Sequence, residues 1–475
     1  MLEELLAVAA RHWPTFLVLV VIVHLARNYF FNGLQKYPGP FAARLSNWWR
    51  FFDVLGRRPD ITHLKLHRQY GDVVRLGPGV LSFSSPAAVK QIYGLNKGMV
   101  KSGFYPVQQA VSNGRRLPSL FSTTDESYHA QLRRSVNSAF SMSALVQYEP
   151  LVNEVVDLFL SQTDKLYAST GNICNFATWL QYFAFDVIGK ITYSDAHGFV
   201  EKNEDIEGIV SYLAKLFGYV APIGQQPWVD LLFLKNPLVL WLDKIGVKLT
   251  AFPIATFAKN RMSERLREVE GNEKMGMEGS KGRADLLSMF LKAKKDRPEF
   301  FTDERVLTMA VSMTFAGSET TAISLSAVFY YLLRNRRCYE KVMRELDEAV
   351  ADGRIEDRAN MSVSWSESQK LPYLDACIKE AFRVHPAAGL PLERIVPKQG
   401  MDIDGHFVKG GTIVGVSAWV LHKRPEIFDP QHRYNVDDYV PERWLEADKE
   451  QLKTMDGNMF QFGAGSRTVS DTPHR

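Results

Sequence analysis

Between Asp125 and about Val350, apolar residues recur three and four positions apart over almost the whole stretch. That spacing lines them along one face of an α-helix, so this half of the chain has to be built from helices that bury their faces against one another. One interruption, residues 271–282, holds Gly, Met, Glu and Lys with little pattern and predicts an exposed connector. Extended signals are few. Residues 73–76 and 80–83 flank Gly77-Pro78-Gly79 and predict a hairpin. Ser85 and Pro86 supply an N-cap and a first helical position for a helix to about Tyr93. Residues 366–386 predict a further helix ended by Pro386, and residues 395–396 and 412–416 short extended pieces. The fold class is mostly α with a small β subdomain, without repeats or a convincing internal boundary.

Ahead of this lies an apolar run at residues 15–26, broken by His24. Glu3 and Glu4 precede it, and it exits into Arg-Asn-Tyr-Phe-Phe, which suits neither the basic start nor the cleavage site of a signal peptide. Arg27, Lys36, Arg44 and Arg50 follow, so positive charge gathers on its C-terminal side and places the remaining chain in the cytosol. We therefore expect a signal anchor and link over residues 1–36 and a globule over 37–475, parted by Pro38-Gly39-Pro40.

Composition excludes other classes. With 46% hydrophobic and 23% charged residues, the chain is neither disordered nor a multi-span membrane protein. Lys+Arg minus Asp+Glu is 57 − 53 = +4, too balanced to mark a nucleic-acid binder. Cys174, Cys338 and Cys377 are too few and too scattered for a disulfide framework, which suits a reducing compartment.

Walker, HExxH and GxSxG patterns are missing. His63 and His67 have a metal-compatible spacing but no third ligand nearby, and Thr-His-Leu-Lys-Leu-His-Arg-Gln predicts a solvated helix face. Within a long apolar helix stands Ala316-Gly317-Ser-Glu319-Thr320-Thr321. Ala316, Glu319 and Thr320 share a side, and small residues at 316 and 317 let a flat cofactor approach the backbone. A mid-helix Thr320 hydroxyl can bond the Ala316 carbonyl, and the acid beside it can relay protons into an apolar cavity. A buried helix with a satisfied threonine would read the same way. Glu380-Ala-Phe-Arg383 alone suggests a surface ion pair. Pro441-Glu442-Arg443-Trp444 and Phe462-Gly463-Ala464-Gly465-Ser466-Arg467 alone suggest a turn and a weak Gly-rich loop.

In this order the four elements resemble a cytochrome P-450, a membrane-anchored fungal one of the pisatin-demethylase-like kind. The likeness runs from about Pro38 to Thr468, with AGxET, ExxR, PERW and FGxGxR as its motifs. It implies haem b as cofactor, with Ala316 and Gly317 over the distal face and Glu319 and Thr320 serving oxygen activation. It also implies a buried network of Glu380, Arg383 and Arg443. His129 and Arg133 match the family's Trp-x-x-x-Arg and would reach a haem propionate, as would Arg467 and Arg394. Phe462, Gly463 and Gly465 would shape the proximal loop. Electrons would come from NADPH through a membrane reductase, the substrate would be a lipophilic small molecule, and the site would be the endoplasmic reticulum membrane.

The likeness breaks at one position. The family's loop continues to a Cys that ligates iron, and here that place holds Val469, which has no lone pair to donate. None of the three cysteines can replace it; Cys377, one turn before Glu380, reads as a small buried hydrophobe. The proximal helix and terminal strands that follow the Cys in the family are expected to be missing. Val-Ser can be encoded as an intron donor, so read-through into an intron is one expectation and a true truncation the other. The chain is then either a haem-thiolate monooxygenase with an incomplete record or a non-catalytic remnant. A further departure is the run 428–441, a few residues longer than usual. Residues 209–246, with Tyr212, Phe217, Tyr219, Trp228, Phe233 and Trp241, suggest by the same likeness a lid over the substrate channel that dips into the bilayer. Ordinary packing of amphipathic helices is the alternative.

Overall fold

The computed structural model of the chain describes residues 2–30, 33–247, 253–274, 285–357 and 362–468. The central element is the helix Asp303–Arg334, with Asp303 and Glu304 in its first turn and Arg334 in its last, charges that suit the two ends of the helix dipole. Its first half is buried on nearly every side, from Val306 to Val311. Polar side chains survive there because they are satisfied within the helix. The hydroxyls of Thr308, Thr314, Ser318, Thr320 and Ser324 each donate to the carbonyl four residues back, at 2.7–3.1 Å. The helix Phe176–Tyr193 lies along it, and Gly317 permits the close approach: a Cβ there would stand 2.8 Å from Ile188 Cδ1. Trp179, Phe185, Phe199, Phe290, Phe301 and Met309 fill the helical core around this pair.

The β part gathers both ends of the globule. A five-stranded sheet runs in the order 73–77, 80–83, 413–416, 394–395 and 100–101. The first two strands form the expected hairpin, and Val80–Phe83 then pairs in parallel with Ile413–Val416, Phe83 opposite Val416. Ser85 caps the helix Pro86–Tyr93 by accepting from the Ala88 amide. Leu81, Phe83, Val414, Val416, Phe428, Trp444 and Phe460 make a second core beneath this sheet.

The helix Leu2–Phe30 leaves the globule with its apolar run exposed, and His12–Phe30 is long and apolar enough to cross a membrane. The link that follows is docked: Leu34 and Tyr37 are buried, and the Arg75 amide donates to the Pro38 carbonyl at 2.7 Å. A Cβ on Gly39 would lie 2.2 Å from the Arg75 carbonyl oxygen, so this position takes only glycine.

Three expectations need correction or limit. Residues 366–386 form two helices, Trp365–Ser368 and Pro372–Val384, because Pro372 has no amide hydrogen and its ring forces Leu371 out of the helical region. His63 and His67 are not on a solvated face. Both are buried; His67 contacts the Gly71 carbonyl at 3.0 Å and the Ser82 hydroxyl at 2.8 Å, and His63 faces Asp53 at 3.5 Å. Of the connector predicted at 271–282, residues 271–274 close the helix Pro253–Lys274 and the rest lies outside the described residues.

Gly39→Ala forces the link off the first strand. We expect a loss of about 2 kcal/mol or more in urea denaturation followed by circular dichroism in detergent micelles.

Candidate active site

Glu380 and Arg383 lie one turn apart on the helix Pro372–Val384, and both are fully buried. Arg383 donates to both carboxylate oxygens, at 2.7 and 2.8 Å. Its remaining donors reach the carbonyls of His422, Val436 and Asp438. Arg443 approaches the same carboxylate at 3.4 Å and donates to the carbonyls of Phe428 and Asn435. The Trp444 indole and the Val440 amide complete the set at 2.9 and 3.0 Å. Burial pushes the Glu380 carboxyl up, but the charge and hydrogen bonds of Arg383, then Arg443 and the Val440 amide, outweigh it, and the net direction is down. Glu380, Arg383 and Arg443 therefore meet, and they grip the irregular run 428–440.

The network continues to the Gly-rich loop through a residue that sequence reasoning missed. His422 is buried; its Nε2 accepts from the Phe460 amide at 2.8 Å, which leaves Nδ1 to donate to the Arg383 carbonyl at 3.2 Å. Burial holds this imidazole neutral, with its pKa down at about 3. Beyond it, Phe462 packs edge-on against Phe382, and Gly463 and Gly465 have φ of +75° and +72°. A Cβ on Gly465 would sit 1.7 Å from the Tyr93 carbonyl oxygen. The short turn Gly465–Arg467 follows, and Val469 lies outside the described residues.

Around this turn the structure gathers cations. On the helix Glu126–Val136, Arg133 donates to the carbonyls of Ser466 and Thr468. Arg467 bonds the Leu120 carbonyl at 3.0 Å and Glu126 at 2.7 Å, and its buried Nε has no partner. Arg394 contacts the Tyr105 hydroxyl at 3.2 Å and lies over the Tyr93 ring. His129 is buried and its pKa is driven down to about 3, first by burial and then by Arg467, Lys101, Arg133 and Arg394. The four predicted residues thus come together, joined by Lys101, a buried lysine on the edge strand that no motif marks.

On the central helix Ala316 and Thr320 are exposed, although the turns before them are buried. The Thr320 hydroxyl bonds the Ala316 carbonyl at 2.7 Å, as the spacing suggested. Glu319 does not join them. Its carboxyl is half-buried and takes a hydrogen bond from Gln181 of the helix Phe176–Tyr193. Burial pushes it up, and the Gln181 bond only partly offsets this.

The chain that builds this site matches one family model, Cytochrome P450, over residues 42–468. The chain belongs to the cytochrome P450 family. Curated relatives agree. A cytochrome P450 monooxygenase of Aspergillus terreus is 38% identical over 95% of this chain and 88% of its own length. Cytochrome P450 monooxygenase cicH of Emericella nidulans is 38% identical over 93% and 85%. The monooxygenase pkfB of the same species is 34% identical over 95% and 84%. This P450 is accordingly a fungal-type oxidoreductase of the monooxygenase class. Its residues fit a haem at two places: the surplus of buried cations suits the porphyrin carboxylates, and the face of Ala316 and Thr320 leaves room beside the ring. Among the described residues no cluster of His, Cys, Asp or Glu could hold a metal ion.

Glu380→Gln leaves two buried guanidiniums short of their anion, and we expect a loss of about 3–5 kcal/mol at neutral pH in urea denaturation. Because Glu380 is held below its ordinary value of 4.5, its contribution is present above that pH. It is lost as pH falls through the lowered folded value. The unfolding free energy of the wild type should therefore decline in that acid limb, and the variant should show less of the decline.

Proposed function

We propose that this P450 inserts one oxygen atom into a C–H bond of a lipophilic small molecule in fungal secondary metabolism. Overall, substrate, dioxygen, NADPH and a proton give hydroxylated product, water and NADP⁺, with a membrane reductase passing the electrons. Haem b, when bound, would supply the oxygen chemistry. The observation that carries this reading is the cation cluster, which holds more buried positive charge than its carboxylates balance.

His129, Arg133, Arg394 and Arg467 would hold the haem carboxylates. Phe462, Gly463 and Gly465 would shape the proximal loop, and Ala316 would keep the central helix thin where the ring approaches; Gly317, expected on that face, instead makes room for Ile188 of the neighbouring helix. Thr320 Oγ1 would hold a proton for the reacting oxygen. Glu319, whose raised pKa keeps it protonated to higher pH than an ordinary carboxyl, would resupply that proton after leaving Gln181. Glu380, Arg383 and Arg443 would act through position alone.

Residues 1–36 would anchor the globule 37–475 to the cytosolic face of the endoplasmic reticulum membrane. Support comes from the exposed apolar helix and from a second apolar surface. Phe52, Trp228, Leu232, Phe233 and Trp241 are each more than half exposed, and Trp48 meets Trp228 at 6.3 Å between ring centroids. Phe217, from the same stretch, stacks on Phe315 of the central helix and ties this surface to it.

Val469 favours a second reading, in which this chain lacks a productive iron ligand and does not turn over. Sequencing the mature transcript across the codons for Arg467 to Arg475 separates the two. A spliced message that restores Cys at 469 should yield a protein with a thiolate-type carbon monoxide spectrum. A message that keeps Val469 should yield none.

For the surface, Trp228→Ser with Phe233→Ser in a chain without residues 1–31 should weaken binding to phospholipid vesicles at least about tenfold in flotation, since each buried aromatic is worth about 1.5–3 kcal/mol.

A further inference from the structure

Where the helix Leu2–Phe30 meets the globule, cations gather without a carboxylate. Arg75 lies on the first strand of the sheet and is completely buried. Its guanidinium donates only to carbonyls: those of Asn28, near the end of that helix, and Pro78, both at 2.8 Å, and that of Gly77 at 3.2 Å. Its buried Nη1 has no partner among the described residues. Arg44 stands beside it on the short helix Phe41–Leu45, which packs on both the strand and the helix Leu2–Phe30. The Asn28 amide donates to the Leu45 carbonyl at 2.8 Å and locks the two helices together. Among the described residues the Arg44 side chain makes no hydrogen bond, and its Nε is buried and unpartnered. Burial, and next the charge of Arg44, hold the Arg75 pKa below the usual arginine value, and only Tyr29 acts the other way. A guanidinium taken out of water is costly without an anion. Arg50, a few residues on, has one in Glu393, whereas Arg44 and Arg75 have none among the described residues.

The surrounding rings indicate which anion lies within reach. Tyr29 stands 4.7 Å from Phe30 and 6.1 Å from Phe41 between ring centroids, and Phe30 and Phe41 are each more than half exposed. Exposed aromatic rings at the end of a helix long and apolar enough to cross a membrane mark the level of the lipid headgroups, where a ring meets acyl chains on one side and water on the other. Arg27 and Lys36, both exposed, add positive charge at the same end of the helix.

We propose that Arg44 and Arg75 form a binding site for the phosphate of an anionic phospholipid, seated where the anchor helix enters the globule. This rests on the reading that residues 1–36 hold the chain in a membrane. Arg44 is only half-buried, so its side chain can turn toward a headgroup, and Arg75 adds its charge from beneath. The phosphate takes up donors that the protein leaves unused, and the acyl chains lie beside Phe30 and Phe41. Because Arg75 also grips the Asn28 carbonyl, a bound headgroup steadies the joint between anchor and globule. No covalent bond breaks and no electron moves.

The test uses the full chain. Flotation with vesicles of pure phosphatidylcholine reports anchoring alone. Native mass spectrometry from detergent micelles, titrated with phosphatidic acid or phosphatidylcholine of identical acyl chains, reports the lipid retained. Wild type should float and should hold phosphatidic acid at least about tenfold tighter than phosphatidylcholine. Arg44→Gln should cut that preference about tenfold, the range of a charge-assisted phosphate contact. Arg336→Gln, which removes an exposed cation from another helix, should leave it unchanged, and inorganic phosphate should not displace phosphatidic acid. A wild type that fails to float would overturn the anchoring reading itself. A chain that floats but holds both lipids equally, or loses its preference alike in both variants, would overturn this proposal alone. Displacement by inorganic phosphate would overturn it too, because a free ion would then be the ligand. Circular dichroism checks folding; should Arg44→Gln fail to fold, Arg44→Lys, which keeps the charge without the planar fork, must lower the preference about threefold or more, or the proposal fails.

Discussion

The Glu380 carboxylate organises the chain between His422 and Trp444. It lies on a regular helix, but nearly everything it organises is irregular. Residues 428–440 have no repeating backbone pattern to supply their hydrogen bonds. Arg383 and Arg443, fixed by the shared carboxylate, supply them instead by donating to the carbonyls of His422, Phe428, Asn435, Val436 and Asp438. A buried ion pair is weak evidence of net stability, because apolar replacements of equal volume are often as good. No apolar side chain, however, could donate to those carbonyls. Through His422 the same constraint reaches the Phe460 amide, so the glycine-hinged loop inherits its position from a charge on a distant helix.

The two sides of the site solve the problem of buried polarity in opposite ways. On the central helix every hydroxyl described above is satisfied by its own backbone, so the helix presents a neutral, thin face at Ala316 and Thr320. Around the Gly465–Arg467 turn, polarity is left in excess: Lys101, Arg394 and Arg467 are buried together, and the Arg467 Nε has no partner. Glu126, half-buried, offsets part of this excess by pairing with Arg467 at 2.7 Å.

Much of this was legible in the residues. The hairpin at 73–83, the Ser85 cap and the run of helices follow from local preference, which acts over a few residues and needs no partner. The Thr320–Ala316 bond is likewise set by helix pitch. Position 469, as valine, is visible only in the sequence. Other features were hidden for definite reasons. A polar stretch around His63 and His67 looks solvated until the sheet covers it. The helix at 366–386 breaks because Pro372 forces a start that periodicity overrides on paper. Gln181, His422 and Lys101 carry no motif, since each matters through contacts that form only when separate elements pack.

The sequence by itself determined the helical class, the order of the motifs and the family, because these rest on spacing and on residue types that tolerate few substitutes. Only the tertiary structure decided where the charges end up. It gave the Glu319 carboxylate Gln181 as its partner, and it set Lys101 beside Arg394 and Arg467. Electrostatic energy depends on burial and distance between side chains, and both are settled only when separate elements pack.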